Sequence, residues 1–415
     1  LPLWLFGEEL YLFSVLESMA YADKEILHSR LACMARLFLC LLIFGVTMEV
    51  SARVDDKIKY GASIFIKNYD AGILRGTDAD GIRHNVPNSQ FEKWKINQYG
   101  FRQEMFPTEK ASGVKRIICM GTSETFGLYE DAGKEWPAQL NQILAPYQRF
   151  EVINTSVVGL GLDSFVPYME KYVFKFKPDV VILYINPYFQ FEGESRDKKS
   201  ISAENTSANS ATPKTQGAKG YSLNLRLIPK MKNAVKQIMP PFLLKKYQIW
   251  AMAREVQEIE KKQLQGREPQ DRVPFDTLES FKADLAQMVE LLRERKIEVI
   301  LSSYPVLISE ANNQKYLEIF LDNRRFAVNL SFAGMIEAPI QLNKIVQSVA
   351  QELGVVFLDN ARSIPQDVKY FGDNVHYTNE GARLVAANFA DILLRKYAPE
   401  LDNTVIRYVR DIRVN

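Results

Sequence analysis

The sequence predicts an α/β protein built on a doubly wound parallel sheet of about five strands, with helices on both faces. Three observations carry this. Five short apolar runs, at 116–120, 150–154, 180–185, 298–302 and 355–358, have the length and continuous apolar character of buried strands. Stretches of helical periodicity fill the gaps after them, and strand–helix alternation is the mark of a parallel sheet. Polar residues suited to chemistry follow the ends of three strands, and ligands bind beyond the carboxyl ends of strands in such sheets.

In chain order, residues 1–33 read as an upstream extension, because Met34-Ala-Arg-Leu-Phe-Leu has the form of a natural start with a basic n-region. Residues 34–50 read as a signal peptide or signal anchor. Their core, Leu37-Phe-Leu-Cys-Leu-Leu-Ile-Phe-Gly-Val-Thr-Met48, is a twelve-residue apolar run behind Arg30 and Arg36. A bilayer span needs about 20 residues, so a buried core helix is the other reading. The expectation is an exported protein, periplasmic or otherwise extracytoplasmic, tethered to the inner membrane if the leader is retained. Residues 51–113 read as a short β-rich lead-in that caps the sheet, with strands at 54–60 and 62–69 and a turn at 97–102.

The core is expected over 114–191 and 276–398, with helices near 136–144, 164–176, 278–295, 338–353 and 378–396. The first begins at Trp136-Pro137, proline being favoured in a first turn, and 121–135 before it reads as loop. Residues 192–275 interrupt the core. Within them, 195–222 is rich in Ser, Ala, Asn, Thr and Lys and is expected to be disordered. Residues 223–265 read as two helical pieces separated at Pro240-Pro241. From Arg196 to Arg254 there are twelve Lys or Arg against two acids. A solvated helical excursion explains this, as does a lid or docking surface for an anionic glycan or membrane headgroups. Residues 399–415 form a C-terminal tail.

Composition narrows the class. At 415 residues, 47% apolar and 25% charged, the chain can bury one large core or two smaller ones. The net charge of +2 carries no footprint for nucleic acid. Neither zinc-ligand spacing nor a phosphate-binding glycine loop is present, so no metal or cofactor is expected. Cys33 and Cys40 lie in the leader, which leaves Cys119 alone in the folded body, as a buried core thiol.

The chemistry concentrates at Gly-Thr-Ser-Glu-Thr-Phe-Gly, residues 121–127, directly after the first core strand. A serine between glycines at a strand end sits on a sharp turn. Its hydroxyl can stand clear of the sheet, and backbone N–H groups can converge on one point, as a serine nucleophile requires. The second glycine comes four residues after Ser123, so this is not the Gly-x-Ser-x-Gly elbow. An ordinary Gly/Ser/Thr loop is the alternative. A nucleophilic serine needs a base. Of three histidines, His28 precedes the leader's apolar run, and His84 lies in a polar stretch that reads as loop. His376 lies in Gly372-Asp-Asn-Val-His-Tyr-Thr-Asn-Glu-Gly381. Asp373, three residues earlier, shares one side of a helical turn and can accept from the imidazole Nδ1–H. Capping the helix that follows is the other role open to this pair.

With these residues in order, the chain resembles the SGNH/GDSL hydrolase superfamily, as an exported or membrane-tethered bacterial-type member similar to polysaccharide O-acyl esterases and acyltransferases. The Ser123 turn is similar to its nucleophile block, with Thr122 where the family has an acid outside the triad. Asp373 and His376 match its Asp-x-x-His block. Val152-Ile-Asn-Thr-Ser-Val-Val-Gly159 is similar to the block that lends a glycine N–H to the oxyanion hole. The strand ending in Ile185-Asn186-Pro-Tyr188 is similar to the block that lends an asparagine amide. Register puts Asn186 where the family has glycine and Tyr188 where it has asparagine. Either Asn186 donates from a shifted loop or that donor is missing. The resemblance covers 115–190 and 280–396 and implies a flavodoxin-like SGNH-hydrolase fold.

It also implies a serine esterase or O-acyltransferase working through an acyl-enzyme. Its catalytic residues are Ser123, Asp373 and His376, its oxyanion hole Ser123, Gly159 and Asn186. The expected partner is an acylated polysaccharide or another ester, with the membrane engaged through the N-terminal segment and no nucleic acid. A lipase or thioesterase acting at a membrane surface and a non-catalytic subunit of a polysaccharide assembly are the other classes left open.

Overall fold

The computed structural model of the chain describes residues 5–65, 69–186 and 225–399, with side chains from Arg30 onward. Residue Tyr188, the stretch 195–222 expected to be disordered and nearly all of the tail expected at 399–415 lie outside the described residues. Two compact units divide the chain, 1–67 with 221–238 and 68–220 with 239–415.

The first unit is dominated by α1 (Leu5–Tyr60). Within it, Arg30–Tyr60 is long and apolar enough to cross a membrane by length and composition, and none of its apolar window is buried. The expected strand at 54–60 is therefore the last part of this helix. Its charges explain why: Arg53 Nε meets Glu49 at 2.6 Å and Lys59 Nζ meets Asp55 at 3.0 Å, pairs four residues apart that only a helix brings together. Residues 62–63 after it are irregular and 64–65 are turn, not strand, and 66–68 lie outside the described residues. The second helix of this unit, α5 in chain order (Leu227–Ile238), is the first of the two pieces expected before Pro240.

The second unit opens with two hairpins, β1 (Arg75–Thr77) with β2 (Arg83–Asn85) and β3 (Gln90–Phe91) with β4 (Trp94–Lys95). The lead-in is β-rich only in this part, and His84 lies on β2, not in a loop. The turn at 97–102 is present. Gly100 takes φ +87°, and the Asn97 side chain accepts from Tyr99 and Phe101 N–H at 2.9 and 3.0 Å.

The central sheet has five parallel strands: β5 (Lys115–Gly121), β6 (Phe150–Asn154), β7 (Val180–Tyr184), β8 (Glu298–Ser302) and β9 (Val356–Leu358), in the order β6-β5-β7-β8-β9. This is the doubly wound order, flavodoxin-like. From β5 the chain steps outward to β6, returns to β7 on the other side and continues to β9. Strands β5 and β7 are buried almost throughout, which is why they read as unbroken apolar runs. A charged residue survives inside β5 because it is fully bonded. Arg116 pairs with Glu151 at 2.6 Å and donates to the carbonyls of Pro107, Thr108 and Phe176.

Helices α3 (Trp136–Leu144) and α11 (Asn379–Tyr397) pack on each other, as do α7 (Phe275–Glu294) and α9 (Phe332–Glu352), and the single turn α10 (Asn360–Ser363) follows β9. Helix α9 begins six residues before the expected 338, because Ser331 caps it by accepting from Gly334 N–H at 3.1 Å. The stretch expected as one helix at 164–176 changes pitch instead. It contains α4 (Phe165–Tyr168), then a π-helical turn over Met169–Val173 and a 3-10 turn over Phe174–Phe176. Helix α6 (Pro241–Gln263), the piece after the proline pair, joins α8 (Leu317–Arg324) through a Lys245–Glu318 contact at 2.5 Å.

Candidate active site

In a doubly wound sheet the crevice opens where the winding reverses, here between the carboxyl ends of β5 and β7. Ser123 stands two residues past β5. Gly121 ends that strand, and a Cβ there would lie 2.7 Å from the Tyr184 carbonyl and collide with Thr125. Only glycine lets the chain turn this closely against β7. The turn continues into a short helix, α2 (Ser123–Phe126), where the sequence read as loop. Gly127, at φ +89°, closes it.

Three devices hold this turn. The buried Glu124 carboxylate accepts from Thr122 N–H at 2.9 Å and Thr122 Oγ1 at 2.5 Å, and burial pushes its pKa up despite those bonds. The Asn154 amide, at the end of β6, donates to the Thr125 carbonyl at 3.0 Å. Arg102, from the lead-in, donates to the Phe126 carbonyl at 2.6 Å and to that of Gly127, and meets Glu135 at 3.5 Å. The lead-in, expected to cap the sheet, braces the loop after β6. Arg83 donates to the Gly159 carbonyl at 2.8 Å and Asn85 to the Ser156 carbonyl at 3.0 Å.

His376 reaches Ser123 from the far end of the chain, with its Nε2 2.7 Å from the serine Oγ. Its Nδ1 lies 2.7 Å from Asp373 Oδ2. The segment between these two residues is a bend, not the helical turn expected. Asp373 Oδ1 accepts from the N–H groups of Val375 and His376, both at 2.8 Å, and Gly372 N–H closes onto the His376 carbonyl at 2.8 Å. Capping of α11 falls instead to Thr378, which accepts from Gly381 N–H at 3.2 Å. Tyr304 pins the bend by donating to the Val375 carbonyl at 2.6 Å, and Asn374 accepts from Ile308 N–H at 3.0 Å. The imidazole is thus placed by its backbone as well as by its carboxylate.

The charges fit this order. Burial works against the imidazolium of His376, but the bond and the charge of Asp373 outweigh it, and its pKa is raised above the ordinary 6.5. Burial likewise opposes ionisation of Asp373, yet the His376 partner and two backbone donors keep its carboxyl below the usual range. Ser123 is buried, 5% exposed.

Gly159 and Asn186 occupy the loops beyond β6 and β7. Gly159 has φ +71°, and a Cβ there would strike Arg83. Asn186 is buried, and the pairing of Gly121 with Tyr184 puts it as far past β7 as Ser123 is past β5. Cys119 is a buried strand thiol, as expected.

The sequence reading missed Tyr129 and Glu130. The Tyr129 ring lies 5.7 Å from that of His376 and covers Gly372, where a Cβ would meet it at 2.7 Å. Half-exposed, it forms a wall at the mouth of the site. Burial pushes the Glu130 carboxyl up to about 8, and its Oε1 has no hydrogen-bond partner among the described residues. An aromatic and an acid six and seven residues beyond Ser123 were the visible signal, but an apparent loop gives no period by which to aim them.

No protein-family model matches the chain, and no curated protein matches it. Several solved structures do. A lipase/acylhydrolase from Enterococcus faecalis matches at TM-score 0.39 and 13% identity, over 70% of this chain and 100% of that one. A catalytic mutant of an acetylxylan esterase from Geobacillus stearothermophilus matches at 0.38 and 13%, over 69% and 95%. Another acetyl xylan esterase matches at 0.37 and 13%, over 67% and 99%. At these values the likeness carries no argument about the reaction, which rests on the residues of this chain.

Proposed function

We propose that this chain is a serine esterase of the SGNH type. One observation carries the reading: an unbroken chain of hydrogen bonds from Ser123 Oγ through His376 to Asp373, 2.7 Å at each step, at the switch point of the sheet. Ser123 Oγ attacks an ester carbonyl while His376 Nε2 takes its proton. The tetrahedral oxyanion is held by the N–H groups of Ser123 and Gly159 and by the Asn186 amide. His376 returns the proton to the departing alcohol, leaving an acyl-serine. An acceptor hydroxyl then gives its proton to His376, attacks the acyl carbon and frees the serine, which recovers the proton. Water as acceptor releases a carboxylic acid; a sugar hydroxyl carries the acyl group away as a new ester. Asp373 holds the tautomer and stabilises the imidazolium throughout. We propose an acylated cell-surface polysaccharide as the substrate, in an exported, membrane-tethered enzyme. The apolar α1 and the basic excursion after β7 support that setting.

Labelling with a fluorophosphonate and turnover of a nitrophenyl acetate test this together. Wild type is expected to label and turn over. Ser123→Ala should lose labelling entirely and activity by about 1,000-fold or more. Asn186→Ala should keep labelling but lower kcat about 100–1,000-fold if its amide completes the hole. Wild type that stays unlabelled beside a control esterase overturns the assignment.

A further inference from the structure

We propose that α5 is an interfacial helix, lying on an anionic lipid surface at the level where the apolar part of α1 ends. The inference concerns the first unit alone and does not depend on the esterase reading.

The first step is the environment of α1. Leu37, Phe38, Leu41, Ile43 and Phe44 are each more than half exposed and point to all sides of the helix. A helix that is apolar all round and uncovered by protein requires an apolar surrounding. The second step is where α5 begins. Glu49 is the first acid after the apolar run. Its carboxylate accepts from the N–H groups of Arg226 and Leu227, at 3.2 and 3.0 Å, and from Arg53 Nε at 2.6 Å. Arg226 adds Asp56 at 3.4 Å and the Ser63 carbonyl at 2.7 Å. Lys230 adds Asp55 at 2.5 Å and Asp56 at 2.7 Å. This clip fixes the start of α5 beside Met48 and Val50, at the boundary between the apolar and polar parts of α1.

The third step is the face α5 leaves uncovered. Ile228, Met231, Val235 and Ile238 recur at helical spacing on one side and are 45–83% exposed. The lysine that faces α1 is Lys230; Lys232 and Lys236 flank the apolar side, and α5 contains no acid. A strip of aliphatic side chains edged by lysines, joined to a spanning helix at its boundary, matches the acyl and headgroup layers of an anionic leaflet. A glycan would satisfy the lysines but not the aliphatic strip.

Full-length protein reconstituted in nanodiscs tests this. With Cys33 and Cys40 changed to Ser, an environment-sensitive fluorophore is attached at Val235→Cys on the apolar side or at Gln237→Cys on the opposite side. Iodide quenching is then measured in phosphatidylcholine discs with and without phosphatidylglycerol, on samples whose thermal transition matches the parent. Quenching at 235 is expected to fall several-fold relative to 237 when phosphatidylglycerol is present. Lys232→Glu with Lys236→Glu should weaken docking about 25-fold, at about fivefold per lysine. Equal quenching at the two positions in anionic discs overturns the proposal. So does equal protection of 235 in a lipid-free polymer, since a second copy or another segment of the chain then covers the strip.

Discussion

A serine hydroxyl 2.7 Å from an imidazole is useful only while that imidazole is neutral. Asp373 raises the His376 pKa above 6.5, so the base is switched off as pH falls through that raised value. The acid limb of kcat/KM should therefore inflect above 6.5. Asp373→Asn removes the charge that favours the imidazolium. It should move the limb to lower pH while kcat falls about 10,000-fold, and a pH series on nitrophenyl acetate separates the two effects. A limb that stays put would show that Asp373 does not set the base. The residues of the proposed triad stood out because each carried a local mark: a serine between glycines after a strand, and a histidine three residues after an aspartate in a chain with only three histidines. Glu124, Tyr129 and Arg102 did not, because their roles depend on neighbours that only folding supplies. Arg102, for one, acts on a carbonyl 24 residues away.

Short elements around the site departed furthest from expectation. Four residues of helix at 123–126 and a four-residue bend at 373–376 are below the length at which hydrophobic period speaks, and both are set by side-chain to backbone bonds. The five sheet strands were legible as unbroken apolar runs, and the core helices because burial of one face writes a period into them. The lead-in shows the opposite case: strands were expected at 54–60 and 62–69, whereas its hairpins lie at 75–85 and 90–95, and nothing in the sequence showed that Arg83, Asn85 and Arg102 would brace the loops of the site. Arg102 and Glu135 are both buried, so Arg102→Met leaves Glu135 without its cation while it frees the end of α2. A loss of about 3–5 kcal/mol is expected, visible as a lower thermal midpoint. Fluorophosphonate labelling should slow as well, with the acid limb of the pH profile unmoved. Unchanged stability would mean that the pair does not hold the turn.

The division into two units assigns every proposed catalytic residue to one of them, 68–220 with 239–415. A chain beginning at Tyr69 should therefore still label at Ser123. Its α5 would lose Glu49, Asp55 and Asp56, and trypsin should cut at Lys230, Lys232 or Lys236 faster than in the full chain; equal cutting would mean that α1 does not hold α5 in place. The sequence showed an apolar leader and two helices around Pro240, but not that the first helix belongs with the leader, since Arg226 and Asp56 are 170 residues apart. A larger separation governs the active site. Ser123 and His376 are 253 residues apart, one after the first strand of the sheet and the other beyond the last. During synthesis from the amino end, Ser123 remains an ordinary alcohol until the final quarter of the chain has been made and has closed onto β5 and β7. On the proposed mechanism, esters met before that point are spared, and a product cut short before Asp373 is inert. Under that mechanism, hydrolysis reports that the end of the chain has met its beginning.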